Sequence, residues 1–138
     1  MTVHAYTDGA ARGNPGEAGI GILFKDEHGK TIHRIYGYIG ETTNNVAEYR
    51  ALLACLRAAP ATRCSHLVVH SDSELVVRQL NGEYKVKDAV LRGYFVKIHR
   101  LLAKSPFEFE IRHVSREQNK EADRLANLGI DSRKRIRT

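Results

Sequence analysis

The chain has 138 residues, room for one ordinary domain and its core, and no composition shift or linker divides it. Twenty-two Lys and Arg against sixteen Asp and Glu leave a formal charge of +6, which suits a polyanionic partner. No apolar run approaches the ~18 residues of a membrane span and no charged-then-apolar leader is present, so a cytoplasmic protein with no membrane partner is expected.

Residues 3–8 alternate apolar and polar positions as a half-buried strand does, and Gly9 breaks the run, which puts Asp8 at a strand's carboxyl end. Gly9 and the glycine-rich 12–16 segment read as a turn that lets backbone approach a ligand closely. Residues 18–24 and 31–39 follow as strands joined by a short turn, an antiparallel meander. The period then changes. Val46, Tyr49, Leu52, Leu53 and Leu56 recur at helical spacing from a start around 43–45 until Pro60, with Glu48 one turn inside the helix.

Residues 66–71 form a β-branched strand that runs into Asp72, and a helix over 74–81 follows as a crossover, which implies parallel pairing. Asp88 caps a longer helix with Val90, Leu91, Tyr94, Phe95, Ile98, Leu101 and Leu102 as its buried stripe. Phe107, Phe109 and Ile111 alternate in a final strand, and a last helix, which carries Asp123, ends near Gly129. The expected organisation is a domain over 1–129 and a basic tail over 130–138, the tail being either a solvated end or a nucleic-acid contact. Cys55 and Cys64 form no metal-ligand pattern, and Cys55 suits a packed helical position in a reducing compartment.

These elements predict an α/β layer fold, a mixed sheet of about five strands with helices over its faces. In such sheets ligands bind beyond the strand carboxyl ends, where Asp8 and Asp72 fall and where Glu48 and Asp123 can reach from helices. Taken singly, Asp8 and Asp72 suit turns or caps, Glu48 suits a capping partner of Asn45, and Asp123 suits a solvated helix face. Together the four suggest a site for hard divalent cations such as magnesium or manganese.

The phrases over 6–10 and 12–16, then Thr42-Thr43-Asn44-Asn45-Val46-Ala47-Glu48, Ser71-Asp72-Ser73 and 113–126, resemble ribonuclease H of type 1 in their order and across nearly the whole chain. The resemblance implies a ribonuclease H-like mixed five-stranded sheet with helices on both faces. It also implies a metal-dependent endonuclease that hydrolyses the RNA strand of RNA/DNA hybrids to 5′-phosphate and 3′-hydroxyl products, acting as a monomer. Asp8, Glu48, Asp72 and Asp123 would ligate two magnesium ions, with manganese as a substitute. Such ions, about 3.5–4 Å apart, activate water on one side and neutralise the leaving oxygen on the other. His113 matches the family's histidine in a loop before the last helix, where it would shuttle protons or aid product release. Asn14, Asn44 and Asn45 would contact the minor groove and its 2′-hydroxyls, Thr43 a phosphate of the DNA strand, and Gly9 and Ser73 would complete the substrate contacts. Thr43 also suits a helix N-cap.

Two features depart from the family's pattern. Glu41 is acidic just before the Thr-Thr-Asn-Asn phrase, where many members are basic, and would repel a DNA phosphate. The chain has no Trp, and only a short connection with Tyr84, Lys85 and Lys87 stands where other members insert a basic protrusion, so it resembles the compact subgroup. Its grip on the duplex would then be weaker, or carried by Lys85, Lys87 and the tail. Two rival functions are a non-catalytic binding module and a nuclease for branched DNA or double-stranded RNA. Four carboxylates argue against the first, since they repel a polyanion; the fold alone does not decide the second.

Overall fold

A computed structural model describes all 138 residues. Five strands form one sheet: β1 (Thr2–Gly13), β2 (Gly16–Lys25), β3 (Thr31–Thr42), β4 (His66–Ser71) and β5 (Glu108–His113), in the spatial order β3-β2-β1-β4-β5. The first three pair antiparallel, and β4 and β5 continue the sheet in parallel with β1. Helices α1 (Asn44–Ala58), α2 (Glu74–Leu80), α3 (Ala89–Lys104) and α4 (Lys120–Ser132) cover it. None is long and apolar enough to cross a membrane.

The alternation in β2 explains why both faces are covered. Ala18, Ile20, Ile22 and Phe24 are fully buried in the core beneath α1, with Val3 and Ala5 of β1 and Leu67 and Val69 of β4. The intervening Gly19 and Gly21 face α4, where a Cβ on Gly21 would lie 2.4 Å from the Ala122 carbonyl oxygen. The helix therefore rests directly on strand backbone, an approach only glycine permits. Asp88 caps α3 as expected, its Oδ1 accepting from the N–H groups of Val90 and Leu91 at 2.9 and 3.0 Å. Cys55 and Cys64 are both free and buried, and burial pushes the Cys55 thiol pKa up.

Four boundaries differ from the sequence reading. Gly9 does not end β1, because β2 stays paired with it as far as Gly13 opposite Gly16; the parallel partner β4 stops at Ser71, opposite Thr7. Asp8 thus lies inside a strand, at the point where its neighbour departs and the sheet splits open. His113 is the last residue of β5, paired with Ser71, rather than a loop residue. α2 stops at Leu80, with Asn81 as its C-cap. α4 continues past Gly129 to Ser132 and is closed by Arg133 in the left-handed conformation.

The residues beyond α4 are packed on the sheet. Tyr38 on β3 donates its N–H to the Lys134 carbonyl at 2.7 Å and accepts from the Ile136 N–H at 3.1 Å. Arg50 Nε donates to Thr138 Oγ1 at 2.7 Å. This short bridge pairs the exposed edge of β3, where unpaired backbone groups would otherwise face solvent.

Candidate active site

Where β4 leaves β1, a cleft of about 440 Å³ opens, lined by Asp8, Gly9, Ala10, Asn44, Glu48, Asp72, Ser73, Arg116, Glu117, Lys120 and Asp123. Each acid arrives from a different element. Asp8 stands on β1, Asp72 directly follows β4, Glu48 lies in the second turn of α1 and Asp123 in the first turn of α4. One carboxylate oxygen from each of Asp8, Glu48 and Asp72 lies within 4.8 Å of the others.

Local hydrogen bonding aims these groups. Thr43 is the N-cap of α1, its Oγ1 accepting from Val46 N–H at 3.2 Å, which starts the helix at Asn44, four residues before Glu48. Glu48 is not a capping partner of Asn45; its Oε1 accepts the Gly9 N–H at 2.8 Å. A Cβ on Gly9 would meet the Ala47 carbonyl carbon at 2.1 Å, so the glycine brings α1 against β1 and gives up its N–H to the carboxylate. Ser73 caps α2, its Oγ accepting from Val76 N–H at 3.3 Å. Tyr49, beside Glu48, donates to Gln79 of α2 in a buried bond that joins the two helices.

A short 3-10 turn, Arg116–Asn119, leads into α4 and is opened by a capping box, followed by a long-range tie. Ser115 Oγ accepts from Gln118 N–H while Gln118 Oε1 accepts from Ser115 N–H. Asn119 Nδ2 then donates to the Thr7 carbonyl at 2.9 Å, holding the helix against β1 one residue from Asp8. This is how a residue 115 positions away in sequence reaches the carboxylate of Asp8.

The electrostatics follow from crowding. Asp8 is 5% exposed and Glu48 7%. Burial, then the neighbouring Glu48, Asp72 and Asp123 carboxylates, raise the Asp8 pKa to about 10. Burial raises Glu48 to about 8, partly opposed by the Gly9 N–H. Asp72 is also raised, chiefly by burial. Acids that cannot all ionise beside one another without added positive charge are a fitting donor set for a hard divalent cation.

The other residues singled out from sequence divide between this cleft and two neighbours. Asn44 and Ser73 line the acidic cleft with Gly9. Asn14, Thr43 and Asn45 line a second cleft of about 350 Å³ with Thr42, Val46, Asp88, Val90 and Leu91. The two are joined where Asn14 Oδ1 accepts from Asn44 N–H at 3.0 Å. His113 does not line the acidic cleft; it faces a third, with Glu74, Val77, Arg78, Asn81 and Glu83. Arg116 and Lys120 do line it and were missed in sequence, and the Arg116 charge favours ionised Glu48 and Asp72. Their spacing before Asp123, at i, i+4 and i+7 of a helical run, was the available signal.

The family described as reverse transcriptase-like matches residues 6–129. The ribonuclease H of Methylococcus capsulatus is 34% identical over 94% of this chain and 90% of its own length. The chain belongs to the ribonuclease H family, type 1. Ribonuclease HI of Halobacterium salinarum is 41% identical over 94% of this chain, and the bifunctional protein Rv2228c of Mycobacterium tuberculosis 39% over 96%. The chain spans 64% and 36% of those two relatives' lengths. Among solved structures, LC11-RNase H1 in complex with RNA/DNA hybrid superposes with a TM-score of 0.91 at 45% identity, covering 94% of this chain and 97% of that one. The ribonuclease H1 of Halobacterium salinarum superposes at 0.90, covering 96% and 99%. The mixed sheet with helices on both faces is the family's fold, and the absence of a basic protrusion places the chain with its compact members.

Proposed function

We propose that this chain is a metal-dependent endonuclease that hydrolyses the RNA strand of RNA/DNA hybrids, leaving 5′-phosphate and 3′-hydroxyl ends. The observation that carries the reading is the convergence of Asp8, Glu48 and Asp72, with Asp123 beside them, in an open cleft of a ribonuclease H fold. Family relatives named ribonuclease H, and a structural neighbour solved with RNA/DNA hybrid, support the substrate.

Asp8, Glu48, Asp72 and Asp123 would hold two magnesium ions, with manganese as a substitute. When bound, such ions supply Lewis acidity that generates a nucleophile from water and neutralises developing charge on phosphate. The chain's own groups do the rest. The Gly9 N–H fixes one oxygen of Glu48, so that acid is oriented before any ligand arrives. Arg116 and Lys120 put positive charge on the rim of an acidic cleft, where a phosphate must otherwise approach carboxylates.

Asn44 on the wall of the acidic cleft and Asn14 and Asn45 in the adjoining one present amides that both donate to and accept from a 2′-hydroxyl. Thr43 holds a DNA phosphate in the second cleft while capping α1. His113 moves protons at the product side from its place on β5.

The deciding experiment incubates the protein with end-labelled hybrid, RNA duplex and DNA duplex of one sequence, each with magnesium, manganese or chelator. Cleavage of only the RNA strand of the hybrid, abolished by chelator, is the expected result. Equal cleavage of the RNA duplex would make double-stranded RNA a substrate, and cleavage in chelator would remove the metal from the reading.

A further inference from the structure

The turn between β1 and β2 carries Asn14, and its two arms are tied to the far end of the chain. Arg12 and Glu17 face each other across the hairpin. Arg12 Nη1 donates to Asp131 Oδ1 at 2.7 Å, and its Nη2 to Asn127 Oδ1 at 3.3 Å, both on α4. Glu17 accepts from Arg133, immediately after α4. The Arg133 guanidinium also lies 5.3 Å from the Tyr38 ring centroid, and that of Arg135 lies 5.2 Å from it. At the tip, Asn14 Oδ1 takes the N–H of Asn44. The turn is thus held to α1 at its end and to α4 along its sides.

Arg12 and Asp131 are 47% and 60% exposed, so their pair adds little to global stability. The hairpin is nonetheless where such ties matter. Gly13 has a φ of +108° and, paired with Gly16, closes a turn whose residues Gly13, Asn14 and Pro15 are all exposed. Charged ties at both arms restrict the angle at which this turn leaves the sheet, and with it the position of the Asn14 amide.

We propose that the Arg12–Asp131 and Glu17–Arg133 pairs form a brace that positions Asn14 for the minor groove of the hybrid. The end of the chain then serves the substrate through the hairpin, without touching nucleic acid itself. Arg12, Glu17, Asp131 and Arg133 are positioning residues in this scheme. The proposal rests on the reading of Asn14 as a substrate contact.

The test is steady-state cleavage of RNA/DNA hybrid by the full chain carrying Arg12→Asp, Asp131→Arg, the double exchange, or Asn14→Ala, with Tm measured for each. Each single exchange should raise KM about two- to fivefold, the range set by an exposed ion pair, with kcat within about twofold of the parent. The double exchange restores the pair with its charges reversed and should return KM to the parent value. An Arg12 that contacted phosphate directly would not be rescued, and that outcome overturns the brace. A KM raised by Asn14→Ala but not by the single exchanges overturns the brace alone. A KM that Asn14→Ala leaves unchanged removes the reading of Asn14 and the brace with it. A fall in Tm with KM unmoved would make the pairs structural only.

Discussion

The Gly9 N–H donates to Glu48 Oε1 at 2.8 Å, so the carboxylate carried by α1 is fixed by the strand residue that follows Asp8. Two of the acids are thereby locked to one another through a single backbone amide. The same glycine has no room for a side chain, since its Cβ would fall 2.1 Å from the Ala47 carbonyl carbon. Gly9→Ala should therefore push α1 away from β1, cost about 1–3 kcal/mol by overpacking and displace Glu48. Thermal unfolding with and without magnesium checks this: Tm should fall, and the added stabilisation by magnesium should shrink.

Asp8→Asn should abolish cleavage while stabilising the metal-free protein above neutral pH. Burial and neighbouring acids raise Asp8 to about 10 and Glu48 to about 8, from ordinary values of 3.8 and 4.5. Between those limits the native state binds more protons than the unfolded chain, so stability is full in acid and falls as pH rises through the folded values. Removing the Asp8 charge should flatten that decline. Unfolding curves in chelator from pH 5 to 9 should show the wild type losing stability with pH more steeply than Asp8→Asn. Magnesium should reverse their order at pH 8.

Arg116→Ala should lower kcat/KM more than His113→Ala does, because Arg116 lines the acidic cleft and His113 the neighbouring one. For His113→Ala the loss of turnover should stay within or below the roughly 10²- to 10⁴-fold of a general acid–base group, and well short of that for Asp8→Asn. A complete loss in His113→Ala, with weaker magnesium affinity, would instead make it a ligand.

The parts of this site that the sequence exposes are those set by local chemistry. Thr43 and Asp88 read as caps because an N-cap needs only its own helix, and Asp8 and Asp72 stand out because alternation marks the strand before the first and a β-branched run the strand before the second. The extent of β1 was not legible, because its last five residues are held by β2 and not by any pattern of their own. The role of Arg116 depends on a capping box and on Asn119 reaching Thr7, contacts between segments far apart in sequence. The packed tail was hidden for the same reason: its basic composition suggests solvent, while Ile136 and two backbone bonds to Tyr38 pin it to β3.

Deleting residues 134–138 should accordingly destabilise the fold. Two backbone hydrogen bonds contribute about 0.5–1.5 kcal/mol each, and the partly buried Ile136 adds to them. Tm should drop by several degrees, at about 3–6 °C per kcal/mol for a domain of this size. An unchanged Tm would return the tail to solvent.

Duplex affinity should instead depend on the short connection before α3. Lys85 and Lys87 are exposed, the Lys85 carbonyl is held by Gln79 Nε2, and Lys87 adjoins Asp88 on the wall of the cleft that holds Asn14, Thr43 and Asn45. The Arg135 guanidinium meanwhile lies 5.2 Å from the Tyr38 ring centroid, which draws it towards β3. If each lysine neutralises one phosphate, replacing both by Ala should make the log–log salt dependence of hybrid affinity shallower by about 2 × 0.9, the duplex-DNA slope serving as a guide. KM should rise more than kcat falls, because contacts remote from the cleavage point bind ground and transition states alike. The tail deletion should leave the slope nearly unchanged. Glu41→Arg should tighten binding by removing an exposed negative charge from β3, where Glu41 lies opposite Glu17. A slope unaltered by the lysine replacements, with no gain from Glu41→Arg, would mean that the duplex leaves the acidic cleft by another path.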